Sequence, residues 1–210
     1  MGFYRDNVAP RLVNWTCATS GLDRWRVMAC EGLRGETVEV GFGSGLNVAH
    51  YPDPVTIVYA VEPSSLATKL SAKRVRGSRI PIELIGLDGQ SLALADQSCD
   101  SALCTFSLCT IPDGVKTLSE IFRVLRPGGQ LHFLEHGRAP DATTLRWQTR
   151  LEPWQMRFAD GCHLTRDPIE LVTGAGFEMV RLDQRFAHGP RPWCYFSCGS
   201  ARRPVTPIKD

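Results

Sequence analysis

The segment Thr37-Val38-Glu39-Val40-Gly41-Phe42-Gly43-Ser44-Gly45 restricts what this chain can fold into more than any other. Val38 and Val40 suit a strand packed on both faces, and three alternate glycines then turn the backbone sharply. Lacking Cβ atoms, such a turn lets a ligand approach the main chain closely. A helix starting near Leu46 would complete a strand–turn–helix cradle for a nucleoside-containing ligand. The dinucleotide fingerprint G-x-G-x-x-G is not met, because position 46 is Leu and the third glycine falls one residue early. An NAD-dependent oxidoreductase is therefore disfavoured.

With 210 residues the chain can bury one full α/β core. A net charge of +2 argues against a nucleic-acid partner, and Lys73-Arg74-Val75-Arg76 reads as the solvated end of a helix. No apolar stretch approaches the ~20 residues of a membrane span, so no integral membrane segment is expected. Met1-Gly2-Phe3-Tyr4-Arg5-Asp6 is neither a signal peptide nor a myristoylation site, and a cytoplasmic protein is expected. Of the eight cysteines, Cys99, Cys104 and Cys109 lie in or beside an apolar run, as small hydrophobes do. Cys194 and Cys198 would stand about 13 Å apart at ~3.3 Å per residue, too far to share a zinc. Reduced thiols and no metal are the expectation.

Val8, Leu12, Val13 and Trp15, then Leu22, Trp25, Val27 and Met28, carry helical spacing and predict two short helices within residues 1–35. Strands are expected near Thr37–Gly41, Thr56–Val61, Ile82–Ile85, Ser101–Phe106 and Gln130–Glu135. Helices are expected near Leu46–His50, Ser64–Arg76, Asp113–Leu125 and Thr143–Phe158. That alternation implies a doubly wound parallel sheet with helices on both faces. Phe177–Asp183 and Trp193–Gly199 follow a short helix around Pro168–Thr173 with no helix between them, so they should pair antiparallel at the sheet edge. The chain reads as a single domain over residues 1–201 with a fraying tail at 202–210.

Glu39-Val40-Gly41-x-Gly43-x-Gly45 resembles the first motif of class I methyltransferases, which bind S-adenosylmethionine (SAM). Leu125-Arg126-Pro127-Gly128-Gly129 resembles their familiar late motif, and its own chemistry is that of a helix stop. The resemblance implies SAM as cofactor and a seven-stranded Rossmann-like sheet of order 3-2-1-4-5-7-6 with strand 7 antiparallel. Ligands in such sheets bind beyond the carboxyl ends of the strands. Glu62 closes the second strand at the spacing where an acid takes ribose hydroxyls, or else it is a helix N-terminal acid before Pro63. Asp88 and Gly89 follow the third strand, as an adenine contact or as a plain Asp-Gly turn. Glu39 lies inside the first strand and needs a partner. It holds either the glycine loop or the donor's ammonium, or it forms a strand-end salt bridge.

Three further segments extend the resemblance: Ser107-Leu108-Cys109-Thr110-Ile111-Pro112, Phe133-Leu134-Glu135-His136 and Asp160-Gly161-Cys162-His163-Leu164-Thr165-Arg166. Together they look like the thiol S-methyltransferases of animals and their bacterial relatives. That implies a small-molecule methyl acceptor, a thiol first. A quinone precursor or a lipid amine is the alternative acceptor, and a non-catalytic SAM-binding role stays open. The animal proteins begin with a membrane-anchoring segment that this sequence does not show. No (Asp/Asn)-Pro-Pro-aromatic motif follows the fourth strand, so adenine and glutamine nitrogens are not expected acceptors. The substrate wall is expected from the segment after the fifth strand and from the loop between the last two strands. His136, at a strand end, is the candidate catalytic base or acceptor contact, or a structural histidine. His163 and Arg166 belong to a polar knot that either caps a helix through Thr165 or Asp167 or forms a lid against the substrate. Trp147 and Trp154, seven residues apart, read as core. His188 reads as a solvated loop residue.

Overall fold

The structure, a computed structural model, describes residues 8–159 and 161–205. Met1–Asp6, Asp160 and the end of the expected tail lie outside the described residues, as does the side chain of Val13. Two helices, α1 (Ala9–Cys17) and α2 (Ser20–Cys30), precede strand β1 (Gly35–Val40). The chain continues through β2 (Val55–Val61), α3 (Ser65–Arg76), β3 (Ile82–Gly86), β4 (Cys99–Thr105), α4 (Gly114–Val124) and β5 (Leu125–His136). It ends in α5 (Ala142–Phe158), α6 (Pro168–Gly174), β6 (Glu178–Phe186) and β7 (Tyr195–Arg202). All seven strands form one sheet of order β3-β2-β1-β4-β5-β7-β6. The first five run parallel, and β7 pairs antiparallel with both β5 and β6. Fold class and strand order match the expectation.

Strand alternation divides the core between the two faces. Ala102 and Cys104 of β4, with Leu131 and Phe133 of β5, pack against Leu118 and Ile121 of α4 and Val172 of α6. Leu103 and Leu134, each one residue on from these and so on the opposite face, meet Trp25, Ala29 and Cys30 of α2. The amphipathic α2 thus covers one side and α4 with α6 the other. Cys99, Cys104 and Cys109 are buried, and all eight cysteines are free thiols.

Three details differ from the sequence expectation. No α-helix follows the glycine turn; a single 3-10 turn, Val48–His50, leads into Pro52 and Pro54 before β2. Two prolines in so short a crossover prevent a helix from propagating. Trp147 and Trp154 are 54% and 65% exposed, because α5 turns Thr144 and Gln148 inward instead. Gln148 is kept inside by accepting from the Ala139 N–H and donating to the Gly137 and Pro192 carbonyls. The Arg203 guanidinium, finally, donates to the Phe122, Arg123 and Leu125 carbonyls, so the expected tail is tied down at its start. Among the described residues no helix is long and apolar enough to cross a membrane.

Candidate active site

Beyond the carboxyl edge of β1, the Gly41 and Phe42 N–H groups both donate to the Val61 carbonyl, at 3.0 and 3.1 Å. The loop then folds back so that the Gly43 N–H donates to Glu62 Oε2 at 2.6 Å. The other oxygen, Oε1, accepts from the Ser64 N–H at 2.7 Å, which ties the start of α3 to the same carboxylate. Gly41 has φ +79°, and a Cβ there would overlap the Ser107 side chain. Gly43 has φ +58°, and a Cβ there would meet only the Gly41 carbonyl, at 3.9 Å. One glycine is therefore required by packing, whereas the other leaves open space on the ligand side. Gly45 faces Phe42 and Ser71, behind the loop. Two side chains brace Ser44: its hydroxyl donates to Asn14 Oδ1 of α1 at 2.6 Å, and Arg74 donates to its carbonyl at 3.0 Å.

Below the loop, Glu39 is fully buried and accepts from Asn47 Nδ2 at 2.9 Å and from the Tyr51 hydroxyl. Burial pushes its carboxyl up to about 7, against these two hydrogen bonds and the nearby Arg26 charge, which favour the anion. Asn47 also donates to Thr105 Oγ1 and accepts from Arg26 Nη1, at 2.9 and 2.8 Å. The acid inside β1 has thus found a polar network, and among the described residues it forms no strand-end salt bridge. Glu39 supports the glycine loop through Asn47.

The loop after β4 is built by the same device. The carboxylate of Glu135, fully buried at the end of β5, accepts from the Ser107, Leu108 and Cys109 N–H groups at 2.9, 3.0 and 3.3 Å. Three successive amides aimed at one carboxylate form an anion nest. From the far side Arg166 Nη1 donates to the Leu108 and Ile111 carbonyls at 2.5 and 2.7 Å. His163 donates its N–H to the Cys109 carbonyl at 2.8 Å, while its ring lies 3.2 Å from Glu152. Asp167, not Thr165, caps α6 by accepting from the Ile169 and Glu170 N–H groups.

The two loops face each other across a cleft of about 420 Å³, lined by Gly43, Glu62, Asp88, Ser107, Thr110 and other residues. Asn14 and Cys17 of α1 and Arg26 of α2 close one side, and Ala159 closes another. Asp88 is exposed and accepts from the Gln90 N–H at 2.8 Å, so the turn forms while the carboxylate still borders the cleft. Gly89 also lines it; a Cβ there would press on Val40 Cγ1 at 2.6 Å. A second, more open depression of about 490 Å³ lies along α5 and contains none of these strand-end groups.

The structure therefore brings Gly41, Gly43, Glu62, Asp88 and Gly89 together at one cleft, with Glu39 and Gly45 behind its wall. His136, His163 and Arg166 do not line it. They lie behind the loop after β4, and His136 Nε2 approaches Cys162 Sγ at 2.8 Å. Asn14 and Cys17 of α1, the loop after β4 and Ala159 line the cleft, and among the described residues that line it none comes from the segment after β5 or from the β6–β7 loop. Sequence reasoning missed Arg26, Asn47, Tyr51, Thr105 and the role of Glu135. Glu135 carried a signal, since an acid inside an apolar strand must find donors.

A model of the methyltransferase domain family matches residues 38–133, from β1 to β5. Over 150 residues the chain is 37% identical to the thiol S-methyltransferase TMT1B of Rattus norvegicus, covering 70% of this chain and 61% of the relative. It is 34% identical over 164 residues to the thiol S-methyltransferase TMT1B of Homo sapiens, covering 74% of this chain and 67% of the relative. The chain thus spans roughly three fifths to two thirds of the length of these relatives. Among solved structures, a SAM-dependent methyltransferase of Thermotoga maritima superposes with a TM-score of 0.66 at 21% identity, over 92% of this chain and 93% of that one. At that identity the match speaks for the fold.

Proposed function

Because this chain belongs to the SAM-dependent methyltransferase family, we propose that it catalyses methyl transfer to the sulfur of a small neutral thiol. SAM, the cofactor, supplies an electrophilic methyl group on a sulfonium. The cleft residues fit it. Gly43 leaves open the space a Cβ would fill, and the volume lies in the ~300–1,000 Å³ range of small-molecule sites. Glu62 closes β2 at the border of the cleft, where its carboxylate holds the Gly43 and Ser64 N–H groups, and a carboxylate at that place suits vicinal ribose hydroxyls. Asp88 and Gly89 border the adenine end, and the Gly41–Gly43 backbone runs beside the amino-acid end.

One observation carries the acceptor class: among the described residues lining the cleft there is no histidine, lysine or tyrosine, and its two carboxylates, Glu62 and Asp88, are taken up by the donor in this reading. A phenol or an ammonium must lose a proton before it can attack, which calls for a positioned base. A small thiol is a few per cent thiolate near neutral pH and intrinsically nucleophilic, so it needs little help. The buried Arg26 guanidinium at the cleft wall favours the anionic sulfur. What remains for the protein is to align sulfur with methyl and to exclude water, a proximity effect worth ~7–11 kcal/mol at best. Asn14, Phe106 and Ile111 are placed to do this.

The test is donor turnover over a panel of small thiols, phenols and amines, with the product identified by mass. Thiols should react, and log kcat/KM should rise with pH towards each thiol's own pKa. A panel in which phenols or amines react and thiols do not would replace this reading with the quinone or amine alternative. Donor binding without any turnover would make the protein a SAM-binding module.

A further inference from the structure

Behind the loop after β4, Cys109 Sγ, one ring nitrogen of His136 and Cys162 Sγ converge, all within 4.8 Å of one another. No spacing motif announces this, because the three residues come from the loop after β4, the end of β5 and the connection between α5 and α6. The two sulfurs are 3.8 Å apart. A tetrahedral zinc with Zn–S bonds of ~2.3 Å sets its sulfur–sulfur edge at about 3.8 Å. His136 Nε2 lies 2.8 Å from Cys162 Sγ and would open by roughly 0.7 Å to reach the corresponding nitrogen–sulfur edge.

The donors stand on pinned backbone. The Cys109 N–H is held by Glu135 and its carbonyl by the His163 N–H, while the Cys162 N–H donates to the Ala159 carbonyl at 3.0 Å. Both cysteines are buried, at 3% and 6% exposure. Of the two His136 nitrogens it is Nε2 that meets the thiol; Nδ1 is buried with no hydrogen-bond partner among the described residues and is not the ligand atom. We propose that Cys109, His136 and Cys162 form a binding site for a thiophilic divalent cation, zinc, held by two thiolates and an imidazole.

Three protein ligands leave a fourth position for an exogenous group, as in open zinc sites. The site abuts the cleft, since Thr110 Oγ1 lies 3.6 Å from Cys109 Sγ and Thr110 lines the cleft wall. Zinc here would join three segments that are otherwise joined by hydrogen bonds, and so fix the acceptor side of the cleft.

Protein kept under a mild non-chelating reductant would be loaded with Zn²⁺, dialysed against a competing chelator and assayed for zinc per chain. Co²⁺ loading would report thiolate ligation through its charge-transfer absorption. One equivalent of zinc and a thiolate–cobalt band are expected in the wild type. Cys109→Ser and Cys162→Ser should each weaken retention at least 100-fold, with Cys194→Ser unchanged. Retention of less than a tenth of an equivalent, or no thiolate–cobalt band in the wild type, would overturn the site without recourse to any variant. So would equal retention in folded Cys109→Ser and Cys162→Ser, or a zinc-free Cys109–Cys162 disulfide in the reduced preparation. Every readout is independent of methyl transfer.

Discussion

Gly43 donates its backbone N–H to Glu62 Oε2 across 19 residues of sequence, joining the turn after β1 to the end of β2. One carboxylate therefore both shapes the glycine loop and borders the donor cleft. Glu62→Gln keeps the size but replaces one acceptor oxygen by a donor NH₂. We expect donor affinity to fall by about 10–100-fold, the scale of hydrogen bonds to a charged group, with a measurable drop in melting temperature. Calorimetric titration with SAM checks the first and thermal unfolding without ligand the second. A lower melting temperature with unchanged donor affinity would leave Glu62 a purely structural role.

Gly43 and Gly128 both have positive φ, +58° and +82°, but only Gly43 faces the cleft. Alanine at either position pays a similar backbone cost of roughly 1–2 kcal/mol. Gly43→Ala should in addition weaken SAM at least tenfold, whereas Gly128→Ala should not. Valine at Gly43 would confuse the two effects, because a β-branched residue is strongly disfavoured in that conformation. Equal donor affinity in the two alanine variants would remove the loop from the donor site.

Glu39 links stability to pH. Burial raises its carboxyl from 4.5 to about 7 in the folded protein. The folded state therefore keeps a proton that the unfolded chain releases, and its contribution is full below pH 4.5 and lost as pH rises to about 7. The size is on the order of 3 kcal/mol. Burial raises Glu135 in the same direction, so some slope should persist without Glu39. Melting temperature against pH should fall less steeply between 4.5 and 7 in Glu39→Gln than in the wild type. Parallel curves would show that Glu39 does not hold the proton.

If the loop after β4 bears the acceptor, Arg166, which clasps that loop, should act on acceptor binding. Arg166→Met leaves the Leu108 and Ile111 carbonyls without their charged donor, at a cost of about 1.5–3 kcal/mol. The acceptor KM should rise severalfold while SAM affinity stays within twofold. Loss of SAM affinity with an unchanged acceptor KM would place that loop on the donor side instead.

The local patterns were legible in the sequence. Strand and helix periodicity, the glycine turn and the helix stop at Leu125–Gly129 depend on neighbours a few residues apart, and the strands fell close to their expected places. Strand order followed from resemblance. Where local reasoning failed, the deciding term was not local. Trp147 and Trp154 have helical spacing, but Gln148 had backbone partners on the Gly137–Ala139 segment and in the β6–β7 loop, and that turned the opposite face of α5 inward. The helix expected at Leu46 met two prolines before it could form.

By itself, the sequence determined that β1 ends in a glycine turn and that Glu62 and Asp88 stand at strand ends, because strand direction and glycine chemistry are set by the chain's own covalent order. Only the tertiary structure decided what lies next to them. The parallel order β2-β1-β4-β5 sets Glu62 beside Gly43 and Glu135 beneath Ser107–Cys109, and the connection after α5 carries Cys162 to His136. Buried carboxylates, thiols and imidazoles must satisfy their lone pairs and protons with whatever the fold brings within about 3 Å. For these residues that neighbour comes from a distant stretch of chain.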